Sequence, residues 1–223
     1  PDGVPSLTSP DYAAGLGYAI PELLIDGIGG YAEVKNFISG VWGGANDARL
    51  LSGVYFYVSE SVNIGNATAA GTPSQLVNDG GTFEIGGSFF IGGDDYSAGN
   101  GLYVQNGGST HLSWRLGVGL IGTGLVQINS GSITADGPLA IGANGVVDLA
   151  GGDLWFAGDT PENLEALLLG YIDNKQVIAN GGLGQVEYEF DEAAWKMHAW
   201  AVPEPATLGL IALGSLVIAR KRK

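Results

Sequence analysis

Corners rich in glycine recur along the middle of the chain at a spacing that few architectures can use. Asn78-Asp79-Gly80-Gly81, Asn106-Gly107-Gly108, Asn129-Ser130-Gly131 and Ala150-Gly151-Gly152 succeed one another, and from last glycine to last glycine the steps are 27, 23 and 21 residues. A second recurring unit falls between them: Ile91-Gly92-Gly93, Ile121-Gly122-Thr123-Gly124 and Ile141-Gly142-Ala143-Asn144-Gly145. A period of roughly 20–30 residues with two fixed corners is the signature of stacked solenoid coils. The runs between corners alternate, with Phe83/Ile85, Leu102/Val104, Leu112/Trp114/Leu116, Val126/Ile128, Leu139/Ile141, Val147/Leu149 and Leu154/Phe156 at every second position. Alternation of this kind puts those side chains on one face of a strand. The expected fold is therefore all-β: a right-handed parallel β-helix, or β-solenoid, with a short capping helix and a C-terminal apolar helix. Its core is expected to hold Ile85, Leu112, Trp114, Ile128, Ile141 and Leu149. A β-sandwich or jelly roll also uses short alternating strands with frequent turns and is the alternative.

Around this body, residues 51–159, the chain divides into further regions. Residues 1–50 are rich in Gly, Pro and aromatics and are expected to cap the first coil, with Tyr18-Ala19-Ile20 and Phe37-Ile38 making that end adhesive. At 160–192 a closing cap is expected. Asp159 or Thr160 as N-cap, Pro161 at the first helical position and Glu162 in the first turn agree on a helix start. That helix runs through Leu164, Leu167 and Leu168 toward Tyr171, and residues 185–191 form a last strand with its acidic residues in solvent. Residues 193–205, with Trp195, Trp200 and Pro203, read as a linker, and 206–223 as an apolar helix with a basic tail.

That tail has three parts: Pro203-Glu204-Pro205, an apolar run over 206–219 that includes Leu208, Leu210, Ile211, Leu213, Leu216, Val217 and Ile218, and the cations Arg220, Lys221, Arg222 and Lys223. A helix of that run spans about 21 Å, short of the ~30 Å hydrocarbon layer, but terminal cations favour the cytoplasmic face and their long stems reach headgroups. In this order of parts the chain resembles bacterial proteins that end in a PEP-CTERM sorting signal, with an apolar run at the short end for that family. The resemblance implies export, transient anchoring in the inner membrane, cleavage near Pro-Glu-Pro by an exosortase-type protease, and delivery to the cell envelope or extracellular matrix. The body resembles, in composition only, the glycine-rich parallel β-helices of exported surface proteins.

Charge and composition close several functional classes. The chain has 23 acidic and 9 basic side chains, and four of the nine cations are the terminal ones. An acidic body of this kind repels phosphate backbones, so no nucleic-acid partner is expected. Without cysteine there is no thiol nucleophile and no Cys-ligated metal. His111, Ser113 and Arg115 share a strand face, but neighbours along one strand stand too far apart, roughly 7 Å, for a nucleophile–base pair. His198 lies near Trp195 and Trp200 and reads as a membrane-interface cluster. Asp94, Asp95, Asp136, Asp148, Asp153 and Asp159 all sit at or near turns, where aspartate caps its own backbone. Calcium is the one cofactor they leave open, and no catalytic, cofactor or transition-metal residue is expected. These features point to an exported noncatalytic surface or matrix protein that self-associates into oligomers or filaments or meets exopolysaccharide. The alternative is a carbohydrate-binding or carbohydrate-active β-helix using surface aromatics such as Tyr96 and Tyr103.

Overall fold

Parallel pairing between strands one repeat apart decides the architecture. The computed structural model describes residues 8–9, 12–14, 23–25, 31–39, 47–65 and 73–203. Within them the chain winds into a β-solenoid of about five turns. It begins with β1 (Thr8–Ser9) and β2 (Tyr12–Ala14). Two coils follow: β3 (Leu23–Ile25), β4 (Tyr31–Val34) and β5 (Phe37–Ser39), then β6 (Asp47–Leu50), β7 (Tyr55–Val58) and β8 (Val62–Ile64). In the next two coils one long strand turns a corner and serves two faces: β9 (Ser74–Ile85) with β10 (Phe89–Ile91), then β11 (Asn100–Leu112) with β12 (Leu116–Val118). The last are β13 (Thr123–Ile128), β14 (Ser132–Ala135) and β15 (Leu139–Ile141), then β16 (Gly145–Leu149) and β17 (Asp153–Phe156). The chain closes with α1 (Pro161–Asp173), β18 (Val177–Ala179), a 3-10 turn (Asn180–Gly182), β19 (Gly184–Asp191) and β20 (Lys196–Pro203).

Corresponding strands stack into three faces. The first runs from β3 through β6, β9, β11, β13 and β16 to β18, and the second from β1 through β4, β7, β9, β11, β14 and β17 to β20 and β19. The third runs from β2 through β5, β8, β10 and β12 to β15. Each coil-to-coil pair is parallel, which excludes the sandwich; the antiparallel pairs among the named strands are those of β20 with β17 and with β19.

The register repeats the glycine spacing. Thr82, Ser109, Ser132 and Asp153 are successive partners, each following a corner glycine, at steps of 27, 23 and 21 residues. The second unit needs correction. Ile64, Ile91, Val118 and Ile141 are the stacked partners, so the corner follows Val118-Gly119, and Ile121 is 52% exposed. Gly92 shows why such a corner excludes side chains: its φ is +84°, and a Cβ there would lie 2.0 Å from the Thr123 carbonyl oxygen of the next coil. From β9 onward the differences in coil length fall at this corner, between the third and first faces. Residues 92–99, 119–122 and 142–144 link coils whose strands otherwise stay in register.

Ile85, Leu112, Ile128, Ile141 and Leu149 are buried, but Trp114 is 59% exposed. Strand β11 ends at Leu112, and the chain bends through 113–115 before β12, so the alternation breaks at Trp114 while Leu112 and Leu116 still point inward. Leu102 is only half-buried, and Val104 is buried but outside the main core cluster: Tyr103 and Gln105 point in and are fully buried. Their polar atoms are satisfied internally. The Tyr103 hydroxyl bonds Gln105 Oε1 and Thr110 Oγ1, and Gln105 Nε2 donates to the Gly107 carbonyl. Burial pushes the Tyr103 hydroxyl pKa far up, outweighing bonds from Thr110 and Asn78 that lower it, so the group stays protonated. Along the axis runs an aromatic spine, Phe37, Phe56, Phe83, Phe89 and Tyr103, with successive centroids 5.7, 5.2, 5.8 and 4.9 Å apart.

Both flanks differ from the sequence expectation. Described parts of residues 1–50 are coils of the same solenoid, with Phe37 in its core, rather than a separate cap; Tyr18, Ala19 and Ile20 lie outside the described residues. Residues 196–203, expected as linker, form β20, which is hydrogen-bonded on both sides. The capping helix is present: Thr160 Oγ1 accepts from the Asn163 backbone N–H. It covers the third face, where the Tyr171 hydroxyl accepts from Ile141 N and donates to the Leu139 carbonyl. β18 covers the first face, and the β19–β20 hairpin the second, with Glu187 and Glu189 in solvent. The last coil is therefore covered on all three faces, while β18 and β19 themselves are each paired on one side only.

Replacing Phe83 by Ala interrupts the spine and is expected to cost ~3–5 kcal/mol, whereas Trp114→Ala should stay within about 0.5 kcal/mol. Urea midpoints of the two variants check this, and a large loss at Trp114 would place that ring in the core after all.

Candidate functional site

Strand alternation and coil register together line up the outward side chains of the second face. One file reads Glu33, Tyr57, Glu84, His111, Thr134, Trp155, His198 and Glu189. Both histidines of the chain stand in it, and each sits between carboxylates contributed by other strands. His111 Nδ1 is 2.8 Å from Glu84 Oε2, and Nε2 is 2.9 Å from Asp136 Oδ2. Lys196 of β20 donates to the other Asp136 oxygen at 2.8 Å. A neutral imidazole has one N–H and would turn a lone pair toward one of these carboxylates; the protonated ring donates to both. Burial opposes that charge, but the hydrogen bonds and charges of Glu84 and Asp136 outweigh it and raise the His111 pKa. Burial likewise opposes ionisation of Asp136, yet Lys196 and His111 hold its carboxyl below the ordinary range.

His198 occupies a second cluster. Its ring stacks on Trp155 at 3.8 Å and 4°, and Trp200 lies 4.6 Å away on a tilt. Asp153 Oδ1 is 3.0 Å from Nε2, and Glu189 Oε1 3.5 Å from Nδ1. The expected membrane-interface group of Trp195, His198 and Trp200 is thus divided. His198 and Trp200 belong to the sheet face, while Trp195 sits in the hairpin turn at the other end of β20, against Phe190.

The remaining carboxylates have local tasks. Asp94 Oδ1 accepts from the backbone N–H groups of Tyr96 and Ser97, and Oδ2 from Asn63 of the preceding coil. Asp95 pairs with Arg115, whose guanidinium also lies 5.0 Å over the Phe90 ring. Asp148 accepts from Gly181 N. Among the described residues no group of three or more His, Asp or Glu is placed to hold a metal ion. Tyr96 projects into solvent, but Tyr103 is in the core, so the two do not form a surface row. A shallow groove instead opens beside α1, walled by Trp114, Pro138, Leu164 and Leu167, with Asp136, Asp159 and Asn163 at its rim.

Sequence reasoning missed Glu84, Lys196 and the groove. Glu84 was within reach, because one repeat step of 27 back from His111 lands on it. Lys196 was not, since nothing local brings β20 across from β14.

β20 also carries the start of the tail. Its last residue, Pro203, is paired with Gly184, and Pro203 opens the Pro-Glu-Pro triplet. The family model of the PEP-CTERM protein-sorting motif matches residues 201–223. The chain carries a PEP-CTERM sorting signal. Such a signal marks an exported protein that is anchored transiently in the membrane and processed by an exosortase. No curated protein and no solved structure matches the chain. Glu204, Pro205, Leu208, Leu210, Ile211, Leu213, Leu216, Val217, Ile218, Arg220, Lys221, Arg222 and Lys223 lie outside the described residues, as does the expected apolar helix. Among the described residues no helix is long and apolar enough to cross a membrane.

The pH dependence of the chain's stability follows from the signs above. The raised His111 contributes fully below about pH 6.5, its unfolded value, and loses that contribution as pH rises through its higher folded value. Asp136 contributes above about pH 4 and loses it as pH falls. Both groups are partly exposed, so the effect stays below about 1 kcal/mol. The urea-midpoint gap between the natural chain and His111→Gln is expected to be larger at about pH 5.5 than at about pH 8.5. An equal gap at both values would show that the pairing is not proton-linked.

Proposed function

We propose that this is an exported, noncatalytic surface or matrix protein whose solenoid acts as a stiff display body and whose tail only sorts it. The observation that carries this reading is the intercoil pairing of His111 with Glu84 and Asp136, extended to Lys196. A catalytic histidine needs a free nitrogen or a reachable proton acceptor facing a reactant. Here both nitrogens are engaged in joining coils. The same use of polar groups recurs at the first corner, where Arg49 pairs with Asp79, Asn106 donates to Asp79, and Asn129 donates to Asn106.

A second reading rests on the groove beside α1. Trp114 offers an exposed ring there, and Asp159 and Asn163 offer hydrogen-bonding groups at its rim, the combination that binds the C–H face and hydroxyls of a saccharide.

Protein ending at Pro205, incubated with a panel of soluble and insoluble polysaccharides, is expected to release no reducing ends. Turnover that disappears in His111→Gln would overturn the noncatalytic reading. Co-sedimentation with an insoluble polysaccharide that is lost in Trp114→Ala, with the melting temperature unchanged, would favour the second.

A further inference from the structure

The anchored state of a sorted protein constrains how its body meets the membrane, and here the constraint is short. Only Glu204 and Pro205 separate Pro203 from the apolar run that begins at Ala206. Three Cα–Cα steps of about 3.8 Å reach no farther than ~11 Å in any conformation. While the run is in lipid, the end of the body that holds Pro203 therefore stands at headgroup depth.

That end has a surface of its own. Pro203 pairs with Gly184, the residue after Leu183, which is 77% exposed on a chain reversal through Asn180, Gly181 and Gly182, all at positive φ. Beside it a shallow groove is walled by Ile172, Val177, Ile178 and Val186 and flanked by Lys175, one of only five cations outside the terminal four. The nearby carboxylate of Asp148 is tied to the Gly181 N–H. An exposed leucine, an apolar groove and a lysine suit the boundary between phospholipid headgroups and acyl chains. The opposite end of the hairpin, with Trp195, is seven strand steps away, about 23 Å.

We propose that Leu183, the 180–182 reversal and Lys175 form a membrane-contact surface that seats the anchored body on the phospholipid headgroup layer, with the β19–β20 hairpin rising away from it. This rests on the transient anchoring, not on the noncatalytic reading.

The absence of cysteine allows single-site labelling. Full-length Leu183→Cys, Trp195→Cys and Leu216→Cys, each carrying an environment-sensitive fluorophore, are reconstituted in vesicles of phosphatidylethanolamine and phosphatidylglycerol containing a headgroup spin label. Quenching at 183 is expected to be several-fold stronger than at 195, with a blue shift that vanishes in protein ending at Pro205. Equal quenching at 183 and 195, or none at either, overturns the proposed seating while strong quenching at 216 keeps the anchor. Absence of quenching at 216 as well removes the anchoring on which the proposal stands.

Discussion

Backbone hydrogen bonds between successive coils run parallel and in register, so a residue's neighbour across the sheet is the residue one repeat away. Every other feature leans on this. An apolar residue facing inward stacks on another, as Ile64, Ile91, Val118 and Ile141 do. A polar residue facing outward meets its counterpart directly, which makes the ladder of Asp79, Asn106 and Asn129. At corners such as Gly92 the next coil leaves no room for a side chain, and glycine is required. The interior is narrow enough that one line of rings, from Phe37 to Tyr103, fills much of its length. Stability of such a stack is close to a sum of nearest-neighbour terms.

The same register explains what the sequence disclosed. Corner spacing is a local, countable quantity, and the steps of 27, 23 and 21 reappear unchanged as strand partners. Alternation is also local, but it is blind to where a strand stops. Trp114 was placed inward by counting two from Leu112, past the end of β11. Placing Leu102 and Val104 inward by alternation leaves Tyr103 and Gln105 outward, and an inward glutamine is costly unless it is hydrogen-bonded. Only the meeting of Gln105 with Tyr103, Thr110 and Gly107 offsets that cost, and it depends on two faces closing on each other. β20 was read as a linker for a related reason. Its inward residues, Met197 and Ala199, make a weak pattern, and its partner β17 lies 40 or more residues earlier.

For the candidate site, the residue types were legible and their company was not. Alternation sets His111 and Ser113 on one strand, but β11 ends at Leu112, and the neighbours of His111 come from the coils on either side. Both histidines are members of a file that crosses the second face, and at His111 the charge of the ring adjusts how adjacent coils hold together. Pairing of this kind is weak at any one contact because the groups are half in water.

The corner between the third and first faces has a wider meaning. From β9 onward the coils differ in length there, in the stretches 92–99, 119–122 and 142–144, and the longest carries Tyr96 out into solvent beyond a turn held by Asp94. The core does not register how much chain is spent at that edge, since the closing strands return to the same partners. A gene encoding such a protein can therefore gain or lose codons at one seam without any change in the packed interior. Diversity of surface shape then accumulates along a single ridge of the rod, and the rest of the molecule stays bound by its repeat.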